Sequence, residues 1–597
     1  MDSLFYTLWR NKYLNDRIRL NRFENQKISI DYSYLEANYR HLLTLYTTIN
    51  NKNNGDRDCN ISIELNCSAF DHFALFVKFE HRYLINCLYL ITNRTDVNLF
   101  HSDALLHITK LTLELNNFEN VIFDIPEQVT DLTIRGCYFF KGIINFPSGL
   151  KRLDVVNYPV NLNTLPNGLT SLSVRERTLT LPKLFPPSLC TLSLYWKTYQ
   201  CHHPACQLPD SLTDLRMKFE VHDLPTFNVP YTGKDFPNAI LKITDPGQLE
   251  HLELYPWVSA IQIDYSSNSF WDQKLDYKQI KTIYGSPEPL IPGVLPPQLE
   301  SFTSSFYNES LTSGLFSKHL KSLQLGVFDS PLAAGVLPNT LTNLQLFNFA
   351  QVIDQPDIIP NSVTKLTLKD ITLVSPGALP SSITDLYLTS LTMFPTIINV
   401  IPNRVKTFGF NIASFNLMKG LSSPVQLPSS ITDLRISLLT LGSIKPFLRL
   451  PTSLKSLDLY NIEIEKNLIP NGCVYLSTNK PISDNALPPS LTHLKLDLHY
   501  AHSEVINIPP SVDLLIVSLK NLDVNRDVVV KQNGILSLMK KHIMEMKETN
   551  IDRDIYIREP FLKKNLYNLK QTFFAGWGGF LAMLKRIFVS FSPSNKI

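Results

Sequence analysis

With 597 residues, 44% hydrophobic and 18% charged, the chain has the composition of a globular protein and not of a disordered one. Lys and Arg number 56 against 53 Asp and Glu, and a net charge of +3 gives no electrostatic reason to expect nucleic acid as a partner. The 8 cysteines are scattered singly and Met1 opens no secretory leader, which reads as reduced thiols in a cytoplasmic protein.

In chain order, the first predicted element is a helix over residues 3–20, with Leu4, Phe5, Leu8, Trp9, Tyr13 and Leu14 at helical spacing. A second is predicted from Ser33 to Thr48, with Leu35, Tyr39, Leu42, Leu43 and Tyr46 facing inward. Residues 50–60 (NNKNNGDRDCN) are polar and read as a surface loop. Residues 1–104 are therefore expected to be a helical N-terminal cap or a helix pair that recruits another protein.

From residue 105 one phrase recurs. It stands as LPNGLTSLSV at Leu165, LPDSLTDLRM at Leu208, LPNTLTNLQL at Leu337, LPSSITDLYL at Leu379, LPSSITDLRI at Leu427 and LPPSLTHLKL at Leu487. Proline followed by Ser, Asn, Asp or Gly makes a tight turn, and the alternating apolar residues after it have the period of a strand with one buried face. Two units keep the strand without the proline, around Leu111/Leu113 and Leu323/Leu325. Most steps are about twenty residues, the period of a leucine-rich solenoid whose strands pair as one parallel sheet. Its buried rungs are expected at Leu132/Ile134, Leu153/Val155, Leu172/Val174, Leu366/Leu368, Leu386/Leu388, Leu434/Ile436 and Leu494/Leu496.

The repeats form two blocks, 105–217 and 296–520, around an aromatic-rich insert at 218–295. The insert keeps one degenerate unit, Pro246 to Leu254. Of its aromatics, Trp257, Phe270 and Trp271 are candidate partner-binding residues, and packing of the insert onto its own coil is the plainer reading. Residues 521–597 are expected to cap the array with helices, one over Gly534 to Lys547 and one starting at Pro560. The apolar stretch from Phe573 loses its uncharged run at Leu584, too short to span a bilayer; it reads equally as an interfacial helix with a basic flank and as a segment packed under the last coil, where Gly576, Gly578 and Gly579 weaken any helix.

No phosphate-binding glycine loop, zinc-protease helix, nucleophile elbow or kinase signature is present. One metal-like cluster, Cys201-His202-His203-Pro204-Ala205-Cys206 with Cys190 upstream, needs adjacent histidines to point the same way and reads as an inter-coil loop. No catalytic residue, metal or cofactor is expected. What remains is the outward face of the sheet, where Arg216, Tyr387, Arg435 and Lys495 stand among charges of mixed sign. Such a face suits a protein partner better than a polyanion.

The phrase L-P-x-S-L-T-x-L-x-L at this spacing resembles the FNIP repeat, a relative of leucine-rich repeats. Only fragments of that family's second phrase, F-N-x-P-I, are evident: Phe227-Asn228-Val229-Pro230 and Phe415-Asn416-Leu417. The resemblance implies a leucine-rich-repeat-like right-handed coil with a long parallel β-sheet, short turns and small helical caps. It implies a non-enzymatic protein-protein interaction scaffold. The opening stretch LFYTLWRNKYLNDRI is similar to the start of FNIP-repeat proteins and suggests an F-box-like helix, hence the alternative of a substrate adaptor on a ubiquitin-ligase scaffold. A membrane-associated scaffold acting through the C-terminal apolar segment is the other alternative.

Overall fold

Each coil turns its corner at the motif proline. The Pro carbonyl accepts the amide of the residue three positions on, as in Leu169 N to Pro166 O at 3.1 Å, Leu341 N to Pro338 O at 3.0 Å and Leu491 N to Pro488 O at 3.1 Å. That closes a β-turn and aims the chain into the strand. The computed structural model describes residues 27–50, 62–67, 70–92, 105–115, 122–136, 143–196, 198–200, 205–230, 233–264, 277–285, 290–369, 371, 373–391, 400–412, 424–480, 482–483, 485–497, 505–507, 511–512, 514–519, 529–531 and 553–558. The chain divides into two units, Met1–Tyr265 with Gln279–Thr282, and Ser266–Lys278 with Ile283–Ile597.

The first unit is a parallel ladder in which each strand pairs with the next: Lys27–Asp31, Ser62–Cys67, Cys87–Thr92, Lys110–Leu115, Asp131–Gly136, Arg152–Val156, Ser171–Arg175, Thr191–Tyr195, Asp214–Glu220, Ala239–Ile243 and Ala260–Ile263. The ladder thus begins ahead of the first repeat phrase, inside the segment expected to be a helical cap. Helices α1 (Tyr32–Asn50) and α2 (Phe70–Lys78) are return legs of these early coils. They bury Leu35 and Leu42 from α1 and Phe73 and Phe76 from α2. Tyr32 and Tyr39 set their rings edge-on to Phe79 at 6.1 and 6.0 Å. The helix expected from Ser33 to Thr48 is α1; the one expected over residues 3–20 lies outside the described residues.

The ladder also passes through the insert, by way of Ala239–Ile243 and Ala260–Ile263. The degenerate unit at Pro246 departs from expectation. In place of a turn and strand, Pro246–Glu253 is a 3₁₀ helix, because Asp245 accepts the Gly247 amide at 2.9 Å and Gln248 reaches back to the amide of Asp245, a reciprocal cap. Leu249 and Leu252 turn inward and Leu254 is left 73% exposed.

The second unit repeats the parallel ladder through Ser301–Ser304, Ser322–Leu325, Asn343–Leu346, Lys365–Lys369, Asp385–Leu391, Thr407–Ile412, Asp433–Gly442, Ser456–Ile462, Tyr475–Thr478, His493–Asp497 and Leu514–Leu519. The C-terminal segment expected to be helical contributes strands among its described residues. Val529–Lys531 pairs with Val505–Asn507, and Arg553–Arg558 closes the ladder antiparallel to Leu514–Leu519. Both helices expected here, and the stretch from Phe573, lie outside the described residues.

All seven rung pairs named from the sequence are buried, none more than 2% exposed. A fully buried side chain of this kind contributes roughly 1.5–3 kcal/mol. The Ser and Thr of the phrase tie coil to coil. Ser362 Oγ donates to Leu341 O at 2.6 Å, Ser382 Oγ to Val363 O at 2.7 Å, Ser453 Oγ to Ile431 O at 2.8 Å and Ser490 Oγ to Cys473 O at 2.7 Å. Thr170 Oγ1 donates to Lys151 O at 2.9 Å and Thr342 Oγ1 to Lys321 O at 3.1 Å. Each partner carbonyl belongs to the preceding coil; the serines thus add a tie outside the strand ladder, whereas Lys151 O and Lys321 O already accept two amides of the following coil and the threonine hydroxyl joins them as a third donor.

On the return legs the units differ. The first uses short second ladders, Ile122–Asp124 with Ile143–Asn145 and Thr178–Thr180 with Thr198–Gln200. The second also pairs Val352–Ile353 with Leu373–Val374. It repeatedly uses a left-handed residue three positions ahead of the turn: Gly293, Gly314, Gly335, Asp357, Gly377, Asn467 and Asn485 all have φ between 57° and 83°, and in the first unit Gly233, at φ 68°, stands the same way ahead of the turn at Phe236. Tyr307, Phe328 and Phe349 stack through successive coils at 6.3 and 6.0 Å, with interplanar angles of 11° and 5°.

Candidate interaction surface

Strand alternation buries the two leucines of L-x-L and turns x outward. In the second unit the register aligns those outward residues in one row: Tyr387, Gly409, Arg435, Asp458, Ser477 and Lys495. Three of the sequence candidates, Tyr387, Arg435 and Lys495, therefore share a row spanning five strand steps, about 24 Å at 4.8 Å per step. The Tyr387 ring lies across Gly409. A Cβ there would sit 2.2 Å from ring carbon Cδ2, so only glycine lets the ring lie flat. Arg435 is exposed and makes no ion pair or hydrogen bond among the described residues. Asp385 and Asp433, beside the row, each accept a hydroxyl of the preceding threonine at 2.7 Å.

The same strands carry exposed apolar side chains. The register slips between Ser437 and Gly442, and the excess residues bulge out of the ladder. Leu439 is 72% exposed, Leu441 52% and the neighbouring Tyr460 43%. Sequence alternation gave no sign of this bulge, because S-L-L-T-L reads as continued core strand.

In the first unit Arg216 is exposed and paired with Asp214 at 2.7 Å. Partial burial pulls the Asp214 carboxyl upward, but hydrogen bonds from Arg216 and Asn238 and the Arg216 charge outweigh it and hold the carboxyl below its ordinary range. The other charges on this face alternate in sign, with Arg152 3.7 Å from Asp131 and Lys242 2.9 Å from Asp264.

Trp257 is a correction. It is buried, stacked on Phe219 at 5.5 Å and edge-on to Phe236 at 6.4 Å, and so packs the core of the insert instead of offering a surface. Phe270 and Trp271 lie outside the described residues. Of the cysteine–histidine cluster, Cys206 is buried in a short strand and Cys190 is exposed, while residues 201–204 lie outside the described set. Among the described residues no group of three or more His, Cys, Asp or Glu is placed to hold a metal ion, and no helix is long and apolar enough to cross a membrane. Burial pushes the thiols of Cys67 and Cys473 up to about 12 and about 11.

One phrase escaped the sequence reading. Phe328-Asp329-Ser330-Pro331-Leu332 follows the F-N-x-P-I pattern with Asp for Asn and Leu for Ile, and Tyr307-Asn308 begins a second copy. The aromatic enters the buried stack. The polar residue after it accepts an amide from the next coil, Asp329 N to Asn308 Oδ1 and Ala350 N to Asp329 Oδ1, both at 2.8 Å.

The FNIP Repeat family model matches residues 307–349 and 328–370, so each match opens on one of these aromatics. Among solved structures, CroV588, a circular LRR protein, is similar at 19% identity, with 78% of this chain and 82% of that one covered and a TM-score of 0.38. YopM from Yersinia enterocolitica WA-314 is similar at 19% identity, 67% and 81% coverage and a TM-score of 0.26. The mouse RP105/MD-1 complex is similar at 14% identity, 76% and 78% coverage and a TM-score of 0.31. No curated protein matches the chain.

Proposed function

We propose that this chain, which carries FNIP repeats at 307–370 on a leucine-rich-repeat-like solenoid, is a non-enzymatic cytoplasmic scaffold that binds a protein partner on the outward face of its second unit. The carrying observation is the row Tyr387–Gly409–Arg435–Asp458–Ser477–Lys495 with the exposed Leu439, Leu441 and Tyr460 on the same strands. Aromatic and arginine side chains dominate binding energy at protein interfaces, and clustered exposed apolar residues mark such surfaces. The row's mixed charges favour a protein partner of complementary pattern over a polyanion. Residues 3–20, on which a ligase-adaptor role rests, lie outside the described residues, and nothing in the described ones favours that role.

The test is quantitative affinity capture with the full chain against the Tyr387→Ala/Arg435→Glu double variant. At least one partner of the wild type is expected to fall more than about tenfold, as loss of hot-spot contacts requires. An identical partner set from an equally folded variant would overturn the assignment. Deleting residues 1–26 separates the adaptor role without touching the ladder, whereas a cut at residue 50 would remove strand Lys27–Asp31 and helix α1.

A further inference from the structure

The sheet face of the first unit carries arginines that its own carboxylates leave unpaired. One residue past the second rung of each strand, the register sets Arg135, Val156, Arg175 and Tyr195 side by side. Arg135 and Arg175 are exposed, and neither makes an ion pair or hydrogen bond among the described residues. Val156 is half-buried between them, and Tyr195 is 49% exposed. The nearby carboxylates are engaged elsewhere. Glu114, beside Arg135 in register, accepts the Tyr89 hydroxyl. Asp131 and Asp214 pair with Arg152 and Arg216, and Glu176 Oε1 accepts the Arg177 amide at 3.0 Å. The row runs on past Tyr195 to Lys218, the residue after the Leu194–Met217 register pair, whose ammonium goes to Gln262 Oε1 at 3.4 Å. The spacing of the two free arginines, and not the length of the row, sets what fits.

In the neighbouring row Asp154 stands in register between Thr133 and Ser173. Its Oδ1 is buried without a hydrogen-bond partner, and none of the three side chains makes a hydrogen bond among the described residues. A carboxylate accepts and does not donate, so Asp154 opposes a phosphodiester backbone, which has no donor, and suits a peptide backbone, which offers N–H groups.

Two strand steps separate Arg135 from Arg175, about 10 Å. A peptide crossing the strands must present an acidic side chain to each from the same side. In a β-strand the residues on one side are about 7 or 13 Å apart, and neither distance matches. In a polyproline II helix every third residue returns to the same side at about 3.1 Å per residue, so carboxylates three residues apart stand about 9 Å apart. An α-helix reaches about 10 Å only between residues seven apart, and its own ladder uses the N–H groups that Asp154 would accept. Polyproline II leaves its N–H and C=O groups free, the first for Asp154 and the second for the hydroxyls of Thr133 and Ser173. Tyr195, one step beyond Arg175, offers the kind of aromatic surface on which the prolines of such helices rest.

We propose that this face binds an acidic polyproline II segment of a partner protein, with carboxylates three residues apart on Arg135 and Arg175 and a backbone N–H on Asp154. The surface lies in the first unit and the Tyr387–Lys495 row in the second, so each can fail without the other.

The test is fluorescence anisotropy of the labelled peptide Gly-Pro-Glu-Ala-Pro-Glu-Ala-Pro-Gly, titrated with the full chain to about 0.3 mM to cover submillimolar affinity. Saturable binding is expected, weakened at least about tenfold in Arg135→Ala/Arg175→Ala through loss of two charge-assisted contacts. Asp154→Ala should also weaken it, although that change removes a negative charge facing an acidic peptide. Tyr387→Ala/Arg435→Glu should bind as the wild type does. The proposal is overturned if this peptide does not bind, or if the double arginine variant, folded by circular dichroism, binds it equally well. It fails too if Asp154→Ala binds more tightly, since the carboxylate would then only repel. Equal binding of Gly-Pro-Glu-Ala-Glu-Pro-Ala-Pro-Gly, whose glutamates are two residues apart, would remove the spacing argument and the proposal with it. Tighter binding of hexauridylate, or of an alanine-rich helical peptide with glutamates seven apart, would assign the face to a different partner and overturn this one.

Discussion

Residues 301–369 of the second unit and 214–264 of the first build the same ladder from different parts. The former turn at Pro338 and Pro360; the latter turn at Phe236, whose carbonyl accepts Ala239 N at 3.0 Å. In the former, Ser and Thr of the phrase tie each coil to the one before. In the latter, Lys234 Nζ donates to Asp210 O at 2.6 Å and Leu212 O at 3.1 Å. Those two carbonyls correspond to the Pro187 and Leu189 carbonyls that Ser211 Oγ reaches, both at 2.7 Å, one coil earlier. The stacked Tyr307, Phe328 and Phe349 find a counterpart in Phe219, Trp257 and Phe236. The solenoid therefore requires a closed turn, a donor to the previous coil and a filled interior, and it accepts more than one residue in each role.

The sharpest way to break that comparison is to empty each interior. Phe328→Ala and Trp257→Ala should each cost about 3–5 kcal/mol, the range for a buried large aromatic. Coils contact mainly their neighbours, so the damage should stay local. Hydrogen exchange resolved by mass spectrometry is expected to show lost protection at 301–369 for Phe328→Ala with 131–175 unchanged, and at 214–263 for Trp257→Ala with 322–369 unchanged. Protection lost evenly along the chain by either variant would show that the two regions do not fold as separable parts.

Alkaline titration gives the next largest effect and separates the units. Cys67 lies in the first and Cys473 in the second, and burial raises their thiols to about 12 and about 11. The folded chain keeps these protons while an unfolded thiol releases its own near 8.5. Their contribution is thus intact below about pH 8.5 and is lost as pH rises, at about 1.4 kcal/mol per pH unit for each thiol, until the folded value is passed. Between pH 8.5 and 10 that is about 2 kcal/mol per thiol. Cys67→Ala should flatten the alkaline loss of protection in the first unit alone, and Cys473→Ala in the second alone. Equal slopes in wild type and variants at pH 9 and 10 would refute the assignment.

What the sequence made legible follows from which interactions are local. The leucine rungs and proline turns are written in neighbouring residues, and all seven named pairs are buried where alternation put them. The carbonyl acceptors of Ser362 and Thr342 lie 21 residues upstream, so these residues looked like turn formers and not like ties between coils. Strand Lys27–Asp31 is five residues long and is followed at once by a 19-residue helix whose periodicity dominates the region. Trp257 carried no mark of inside or outside, since an aromatic suits a core and an interface equally well. On the candidate surface Tyr387, Arg435 and Lys495 were legible as the x of L-x-L, whereas Leu439 and Leu441 were not, because only the register slip turns them outward.

The return legs offer a smaller perturbation. Gly335 has φ of 78° and open space where a Cβ would stand. Gly335→Ala should therefore cost about 1–2 kcal/mol through left-handed strain alone, with no steric clash. Gly335→Asn should recover most of it, as Asn467 and Asn485 hold the same position at φ of 63° and 57°. Chemical denaturation followed by tyrosine fluorescence reads the difference; equal stability of the Ala and Asn variants would remove the backbone explanation.

The subtlest comparison sets the two kinds of inter-coil donor against each other. Ser362→Ala removes one hydroxyl bond to Leu341 O and should cost about 1 kcal/mol, the net value of such a bond. Lys234→Met keeps the aliphatic stem and removes the ammonium that serves Asp210 O and Leu212 O. If the lysine has taken over the serine's role, its loss should cost the same order, about 1 kcal/mol, and should raise exchange at the turn of residues 209–212. A neutral Lys234→Met beside a destabilising Ser362→Ala would mean that the degenerate coils dispense with the tie, and that the Phe219–Trp257–Phe236 cluster holds them without it.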